Sequence, residues 1–484
     1  MVEAVGKNPM SKESREPAKK NPMIKKYIWE AIAIIAAIII SFMDPPATLT
    51  HESMIVLGIA VWAIINWIVR PFDEYVTCFI MAIGWFVLAK VELGAIFSGF
   101  AGSTFWLLVS VVGLGAAVST SGLLKRISIL LLKFFKPTYK GQVLAFALAG
   151  ACISPLIPST TAKMAIMGPL ALGIANELGL VKRGPGRVGL LMALWLGVNI
   201  SGNFFINASF QGYMVLGLLP KATQATYTWT TWFLRSLPWT IVMLGMFLVF
   251  VLFAYKEKDS NVVTKEYIND RLEELGPMSR NEKIVAAVMA GCLLMFIFEA
   301  QTGFSSMSTA MLGFSVLLIT RVIGSEEFQN RMMWPMLYFI GFTLGMGDVF
   351  ASVGLNEWLG NVLSPLAASL HNPYMFVAAL AGITYVVRIL IPQVPSNILM
   401  ITLLYPLAVQ LGMDPWIACI VIYGASVVFY PLYTHVNLMI GYTQAGGEEY
   451  IDSNKILKAD IAYMVINILG LWACIPFWKM MGML

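Results

Sequence analysis

The chain has 484 residues, of which 58% are hydrophobic and only 12% are charged, and its formal net charge is +5. A soluble domain carries about 25% charged residues, so the composition excludes an ordinary soluble enzyme and predicts an all-α polytopic membrane protein. The five cysteines are scattered without C-x-x-C spacing, which argues against a disulfide framework and a zinc site.

Residues 1–26 are polar and rich in lysine, and they lack the apolar region and cleavage site of a signal peptide. They predict a disordered cytoplasmic tail. A membrane region of about eleven spans follows in two halves, 27–255 and 284–484, and a charged cytoplasmic linker at 256–283 divides them. The predicted spans are 27–43, 53–69, 75–90, 104–123, 188–210, 236–255, 284–300, 306–324, 333–352, 415–441 and 460–478.

One apolar but proline-interrupted stretch, 153–171, is repeated at 391–408 in the second half. Pro-interrupted segments with polar tips in corresponding halves are typical of transporter binding sites. We therefore predict two re-entrant hairpins, at 141–180 and 373–411. The residues that recur identically 237 positions later are Pro155, Pro158, Ser159, Pro169, Leu170 and Ala171.

The two halves also match ahead of the hairpins. A Gly-Leu pair ends one span at Gly122 and its counterpart at Gly354, and an amphipathic segment follows each, at 123–135 and 355–363. With the N-terminus in the cytoplasm, 26 of the 32 Lys and Arg residues fall on the cytoplasmic side, which is a strong positive-inside bias. The first hairpin then enters from the cytoplasm and the second from outside, so the repeats are inverted.

The hairpin tips predict an ion-binding site. A half-helix that begins at Ser159 or Ser396 presents free amides and the positive end of its dipole, which suit an anion. The hydroxyl, amide and carbonyl oxygens around the tips suit a hard cation such as sodium. The alternative is a pair of Pro-kinked helices whose hydroxyls bond back to their own backbone.

Two basic residues lie within the hairpins. A lysine at the bilayer centre costs roughly 2.5–3.5 kcal/mol, so Lys163 is a functional candidate. It pairs with a substrate carboxylate, or supplies a fixed charge in place of a bound cation, or else extends to the cytoplasmic interface. Arg388 is interpreted as an anion attractor, as part of a structural ion pair, or as a side chain that extends to the outer interface.

The sequence Gly345-Met346-Gly347-Asp348 matches the GxGD signature of intramembrane aspartyl proteases. That chemistry needs a second membrane carboxylate that shares a proton with the first. No span interior offers a second one, so an enzyme is not expected, and Asp348 is interpreted as a paired carboxylate or a proton relay.

Two spans contain polar interruptions next to the hairpins. One carries Asn199, Ser201, Asn203 and Asn207, and its counterpart is 430–437. The interruptions either complete cation sites beside the tips or supply interhelical hydrogen bonds.

This pattern resembles the divalent anion:sodium symporter family. The family carries Ser-Asn-Thr at each tip, where this chain has Ser159-Thr160-Thr161 and Ser396-Asn397-Ile398. The resemblance implies a homodimer with an elevator-like transport domain, a substrate carboxylate between the tips and sodium beside each tip. A basic residue soon after the first tip also resembles the citrate/dicarboxylate exchangers.

The expected function is secondary active transport of a small organic anion, a di- or tricarboxylate such as citrate, across the inner membrane by sodium symport. Sodium-independent anion exchange and a channel stay open as alternatives, and neither a further cofactor nor a nucleic-acid partner is expected. The expected substrate residues are Ser159, Thr160, Thr161, Lys163, Ser396, Asn397 and Thr434. The expected cation residues are Ser154, Ser159, Thr160, Gly202, Asn203, Ser396, Asn397 and Asn437.

Overall fold

A computed structural model describes residues 22–46, 48–257 and 261–484, and throughout these ranges the regular elements are helices. The predicted disordered tail lies outside the described residues up to position 21, and the chain is already helical from Pro22. The helices of the first half are α1 Pro22–Phe42, α2 His51–Val69, α3 Glu74–Val87, α4 Leu93–Ile96, α5 Ser98–Ala101, α6 Ser103–Ser121, α7 Leu123–Leu132, α8 Tyr139–Ile153, α9 Thr160–Glu177, α10 Pro185–Trp195, α11 Ser201–Phe204, α12 Phe210–Gly217, α13 Lys221–Thr226 and α14 Trp229–Ala254.

The predicted linker contains one helix, α15, and the second half continues from there. Helix α16 begins with a capping box, in which the side chains of Ser279 and Glu282 each accept a hydrogen bond from the other residue's backbone amide. The helices are α15 Lys265–Glu273, α16 Arg280–Ile297, α17 Glu299–Thr302, α18 Ser306–Ile319, α19 Ser325–Arg331, α20 Trp334–Ser352, α21 Leu355–Ser369, α22 Pro373–Leu390, α23 Gln393–Gln410, α24 Pro415–Ala425, α25 Val436–Gln444, α26 Gly447–Tyr450 and α27 Ser453–Met480.

The helices form two packing groups. In the first, which we call the frame, α6 packs on α18, α16 and α19, and α20 packs on α3 and α5. In the second, which we call the hairpin group, α9 packs on α25 and α10, α22 and α23 pack on α24, and α14 packs on α27. The two groups meet directly where α14 contacts α16, and indirectly through α12, which contacts α6 and α23, and through α21, which contacts α20 and α23.

Five described helices are long and apolar enough to cross a membrane, and a sixth span is formed if one bent helix pair is counted. Their outward faces carry large apolar side chains, such as Ile241 of α14, which is 63% exposed. The chain is therefore an all-α polytopic membrane protein, as the composition predicts. The five helices are His51–Val69, Ser103–Ser121, Trp229–Ala254, Pro373–Leu390 and Ser453–Met480.

The corresponding ends of α6 and α20 show the repeat in the backbone. Gly122 follows α6 with a φ of 88°, and Gly354 follows α20 with a φ of 74°. Glycine adopts this left-handed conformation without the steric cost that a side chain brings. The chain turns at both positions into an amphipathic helix, α7 or α21, and α21 is bent by 85° from α20.

Each predicted hairpin is a helix–turn–helix. In the first, one 3₁₀ turn at Ser154–Leu156 separates α8 from α9. In the second, only residues 391 and 392 separate α22 from α23. The second half-helix begins at Gln393 and not at Ser396, because Pro395 is tolerated within the first helical turn, where its missing N–H has no intrahelical partner. The re-entrant position of both hairpins in a membrane stays a prediction, as does the division into domains.

Both spans that follow the hairpins are broken. After α10 the chain makes a π turn at Leu196–Ile200, continues as α11, and is irregular over 205–209 before α12. After α24 it is irregular over 426–435, apart from a 3₁₀ turn at Leu432–Thr434. Irregular backbone at membrane depth is tolerated where it is buried in protein or lines a cavity. Each break lies beside a hairpin tip, and the candidate site lies between the two breaks.

Candidate functional site

Ser159 begins the first half-helix. Its backbone is extended, and its hydroxyl accepts a hydrogen bond from the amide of Ala162 at 3.2 Å. The amide of Lys163 donates to the carbonyl of Ser159 at 3.1 Å. None of the hydrogen bonds among the described residues uses the amides of Thr160 and Thr161. The tip therefore presents two free N–H groups at the positive end of an 18-residue helix, which is the arrangement that binds anions.

Lys163 is fully buried one turn into this helix. Its Nζ donates to the hydroxyl of Ser154 at 3.0 Å and to the carbonyl of Ala208 at 3.1 Å. No carboxylate of a described residue pairs with it. The ammonium of Lys163 thus lies between the tip of the first hairpin and the break before α12. It binds the hydroxyl of Ser154, a residue that the sequence assigned to a cation site.

The tip of the second hairpin differs in its cap. Pro392 is the N-cap of α23 and supplies no side-chain hydrogen bond. Ser396 and Asn397 lie in the first and second turns and are both fully buried. Their side-chain oxygens have no hydrogen-bond partner among the described residues. The residues of this tip that face a cavity are Pro392, Gln393, Val394 and Pro395.

Arg388 is fully buried at the end of α22 and donates to backbone carbonyls. Its acceptors are Ile391 in the tip, and Ser426 at 2.7 Å, Val428 at 3.1 Å and Thr434 at 3.1 Å in the second break. All three guanidinium nitrogens are therefore used by the protein. The interpretation of Arg388 as a direct anion attractor is not supported, because its donors hold the second tip against the second break.

Both tips and both breaks meet at a small polar cavity of about 10 Å³, which has room for roughly one water molecule. Thr161 donates to the amide oxygen of Asn437 at 2.8 Å beside it, which ties the first tip to the second break. The lining residues are Thr160, Asn199, Gly202, Asn203, Ser209, Gln211, Gln393, Tyr423, Val427 and Asn437. Four of the expected cation residues are among them.

Two larger cavities lie beside the tips. The first, of about 350 Å³, is bounded by Ser159 and Thr161 of the first tip and by α6 of the frame. The second, of about 300 Å³, is bounded by the second tip and by the start of α20. Thr434 lines the second cavity only, whereas Thr161 and Asn437 line both. Four of the seven expected substrate residues, Ser159, Thr160, Thr161 and Thr434, therefore line the cavities at the tips, whereas Lys163, Ser396 and Asn397 line none of the three.

The amides of the first break have structural partners. Asn207 donates to the carbonyl of Pro155 at 2.7 Å and accepts from the indole of Trp229 at 2.8 Å. Asn203 donates to the carbonyl of Tyr423 at 3.3 Å, which joins the two broken spans. These contacts favour interhelical hydrogen bonding for Asn207, whereas Asn203 both bonds and lines the polar cavity.

Gln211 is a residue that the sequence reasoning missed. Its amide oxygen accepts from Asn397 at 3.3 Å, and its amide nitrogen donates to the side-chain oxygen of Gln393 at 3.4 Å. It therefore connects the end of the first break to the second tip. The available signal was a glutamine two positions after Ser209, at the start of an apolar segment.

Asp348 lies away from this region. Its side chain is exposed, and it lines a cavity of about 850 Å³ together with Lys221 and Glu299. That cavity is on the opposite side of the frame, because α6 runs from Ser103 at this cavity to Ser119 at the first tip. The position gives the GxGD segment no part in the site between the tips.

A profile described as the sodium:sulfate symporter transmembrane region matches residues 25–484, nearly the whole described chain. The chain belongs to the divalent anion:sodium symporter family. It is thus a membrane transporter of an anion-transporting family and not a protease, as the missing second carboxylate predicted.

Two similar proteins come from Escherichia coli K12. The inner membrane protein YbhI is 30% identical over 353 residues, which cover 70% of this chain and 74% of that protein. The L-tartrate/succinate antiporter is 26% identical over 383 residues, which cover 75% and 74%.

Solved structures show the same fold at greater distance. The YdaH transporter of Alcanivorax borkumensis has a TM-score of 0.54 and 14% identity, with 96% of this chain and 99% of that chain covered. MtrF of Neisseria gonorrhoeae has a TM-score of 0.52 and 14% identity, with 95% of each chain covered.

Proposed function

We propose that the chain exchanges small organic dianions, such as dicarboxylates, across the inner membrane without coupling to sodium. The carrying observation is that a fixed cation lies between tip and break in each half. Lys163 occupies one such position and Arg388 the other. A sodium ion at either of these two positions would need the same carbonyl and hydroxyl oxygens that the two side chains already use.

Exchange is expected because the two positive charges belong to side chains and cannot dissociate from the protein with the substrate. In a symporter the coupling ions dissociate with the substrate, so the empty carrier resets without them. Here the ammonium and the guanidinium stay in the protein after the anion dissociates. Buried positive charge is costly to move through a low-dielectric region, so the return step is favoured with a second anion bound. The similarity to an L-tartrate/succinate antiporter supports this proposal.

The binding mode that we propose places one carboxylate at the start of α9. There the free amides of Thr160 and Thr161 and the hydroxyl hydrogen of Ser159 are available, whereas the hydroxyl of Thr161 donates to Asn437. The second carboxylate lies at the start of α23, beside Gln393. Two half-helix N-termini that face adjoining cavities suit a molecule with an anionic group at each end.

Counterflow in proteoliposomes tests the exchange. Vesicles are loaded or not loaded with unlabelled anion, and uptake of labelled dicarboxylates, citrate and sulfonates is measured with a sodium gradient or with sodium replaced by potassium. We expect uptake that requires internal anion and is unchanged by sodium. Sodium-driven uptake into empty vesicles contradicts exchange. Ser159→Ala is expected to abolish the uptake that requires internal anion while its expression stays at the wild-type level.

Sodium symport is the second candidate, and one observation favours it. The water-sized cavity at the meeting of the tips is lined by side chains that carry oxygen, including Thr160, Asn203 and Asn437. Such a set suits a single hard cation in addition to the two fixed ones. If this is the mechanism, Asn203→Leu removes sodium stimulation from the uptake described above.

The orientation, the elevator-like movement and the homodimer that the family resemblance implies belong to the same proposal. The distribution of basic residues supports a cytoplasmic N-terminus. The two packing groups, joined by few helix pairs, support a moving hairpin group against a fixed frame. Chemical cross-linking in native membranes tests the dimer.

A further inference from the structure

We infer that Arg331 is an additional anion-binding residue, supplied by the frame, which contacts the transported anion from one side of the membrane only. The inference rests on the proposed function, because it takes the first hairpin tip as part of the anion site. It concerns the cavity of about 350 Å³ between that tip and α6.

Arg331 carries the charge of this cavity. Among the described residues that line it, Arg331 is the one with an ionisable side chain. The side chain is exposed, and no hydrogen bond or ion pair to another described residue engages it. Ser159, Thr161 and Asn437 line the same cavity. A guanidinium without a partner among the described residues and the predicted anion-binding end of α9 therefore border one space, which is large enough for a small organic acid.

The neighbouring cavity shows why this charge is distinctive. Arg70 lines the cavity at the second tip, but its guanidinium pairs with Glu74 at 3.0 Å. Its charge is thus compensated within the protein. Arg331 has no such partner among the described residues, so its charge is available to a ligand. Arginine donates two parallel hydrogen bonds to a carboxylate, which fits a substrate of that class.

The contact is limited to one state of the transport cycle. Arg331 ends α19, which packs on α6 of the frame, whereas the tip belongs to the hairpin group. An exchanger must expose its site to both sides in turn, so the tip changes its position relative to the frame. A frame residue that contacts the anion in the present conformation loses this contact once the tip has moved. The affinity on the Arg331 side is therefore raised selectively.

The distribution of Lys and Arg predicts that the Arg331 side is cytoplasmic. The experiment compares Arg331→Gln with the wild type in exchange assays from each face. Intact preloaded cells report the half-saturating anion concentration at the outer face, and inverted membrane vesicles report it at the cytoplasmic face. Loss of a charge-assisted hydrogen bond predicts roughly a tenfold increase in inverted vesicles. We expect less than about a twofold change in intact cells, since the contact is absent in the outward state.

Two variants serve as controls. Arg321→Gln removes an exposed arginine from the connection between α18 and α19 that lines none of the cavities described here, and it should leave both values unchanged. Arg331→Lys keeps the charge without the paired donors and should recover part of the cytoplasmic affinity.

The outcomes separate the inference from the proposed function. If the wild type exchanges anions and Arg331→Gln changes neither face, or changes both equally, the inference is overturned and the exchange function stands. If the wild type shows no exchange in either preparation, the proposed function fails first. A change confined to the cytoplasmic face, with Arg321→Gln silent, supports the inference.

Discussion

The two hairpins share an architecture, but different cations hold them in place. In the first, Lys163 binds one hydroxyl and one carbonyl, so a side chain supplies half of its partners. In the second, Arg388 binds four backbone carbonyls that span the tip and the break. The first half-helix is capped by the side chain of Ser159, whereas the N-cap of the second, Pro392, supplies no side-chain hydrogen bond.

This difference indicates a division of roles. Carbonyls of an irregular buried segment have no other donor, so Arg388 is required for the second break to fold. Lys163 has a third N–H in addition to the two that bond, so its ammonium keeps one donor that no described residue uses. The second hairpin is therefore interpreted as the rigid half of the site, and the first as the half whose charge controls ion coupling.

The largest effect is expected from Arg388→Met. The substitution leaves four buried carbonyls without a donor, and each unsatisfied acceptor costs roughly 1–3 kcal/mol. We expect the midpoint of thermal unfolding in detergent to fall by about 10 °C or more, with loss of transport. Arg388→Lys should recover little, because an ammonium cannot reach four carbonyls in one plane. A stable, active Arg388→Met protein would contradict the structural role.

Lys163→Met is expected to have the next largest effect, and on function before stability. Its removal leaves only Ser154 and Ala208 without their donor, and Ser154 also donates to the carbonyl of Gly150 at 2.8 Å. We expect sodium-independent exchange to fall at least about 100-fold, as for loss of a charge-assisted contact in a low-dielectric site.

The smaller variant Lys163→Ser sharpens this test, because it leaves space and an oxygen ligand. If the lysine replaces a bound cation, exchange by Lys163→Ser becomes stimulated by sodium, and this is measured as uptake with sodium or potassium outside. Full sodium-independent activity in both variants would refute the proposed role of the charge.

Gln211→Leu probes the connection between the halves. It removes the hydrogen bonds to Asn397 and Gln393 at nearly constant volume. We expect roughly a tenfold loss of exchange rate with a small change in unfolding midpoint, since two neutral hydrogen bonds contribute about 1–3 kcal/mol together. Gln142→Leu is the matched control, because Gln142 is buried at the base of the first hairpin and lines none of the three cavities at the tips. Equal losses in both variants would exclude a specific link.

The smallest effect is expected from a substitution at Arg126 of α7, one of the two amphipathic helices that precede the hairpins. Arg126 of α7 pairs with Glu282 at 2.7 Å, whereas Asn356 of α21 donates one neutral hydrogen bond to the carbonyl of Gly347 at 3.3 Å. The Arg126 hydrogen bond holds the pKa of the Glu282 carboxyl below its ordinary value. The stabilisation is therefore present at neutral pH and is lost as the pH falls below about 4.

Arg126→Gln should thus lower the free energy of unfolding by about 1 kcal/mol at pH 7. Thermal unfolding of the variant and the wild type, followed from pH 7 to about pH 2, should converge at the acid end, where the Glu282 carboxyl is protonated in the folded protein. A difference that grows on acidification would contradict the assignment.

Local sequence signals predicted much of this molecule. Apolar run lengths gave the helical membrane fold, and the proline-bounded repeat placed both hairpins within a few residues. Ser159 was assigned as a helix start because a serine that follows a proline-interrupted turn caps the helix locally. The start at Gln393 was missed, because Pro395 reads as an interruption although it fits inside the first turn.

The sequence by itself determined the helical membrane fold and the proline and polar interruptions of its segments, because these properties follow from composition and short-range spacing, and it predicts an ion site between the two related tips. The tertiary structure alone decided which groups bond to each other and which residues share a cavity. The carbonyls that bind Arg388 lie up to 46 positions away, and the cavity that Ser159 lines is also lined by Arg331, from the other half of the chain. Hydrogen bonding and charge compensation depend on distances in space, which no local pattern encodes.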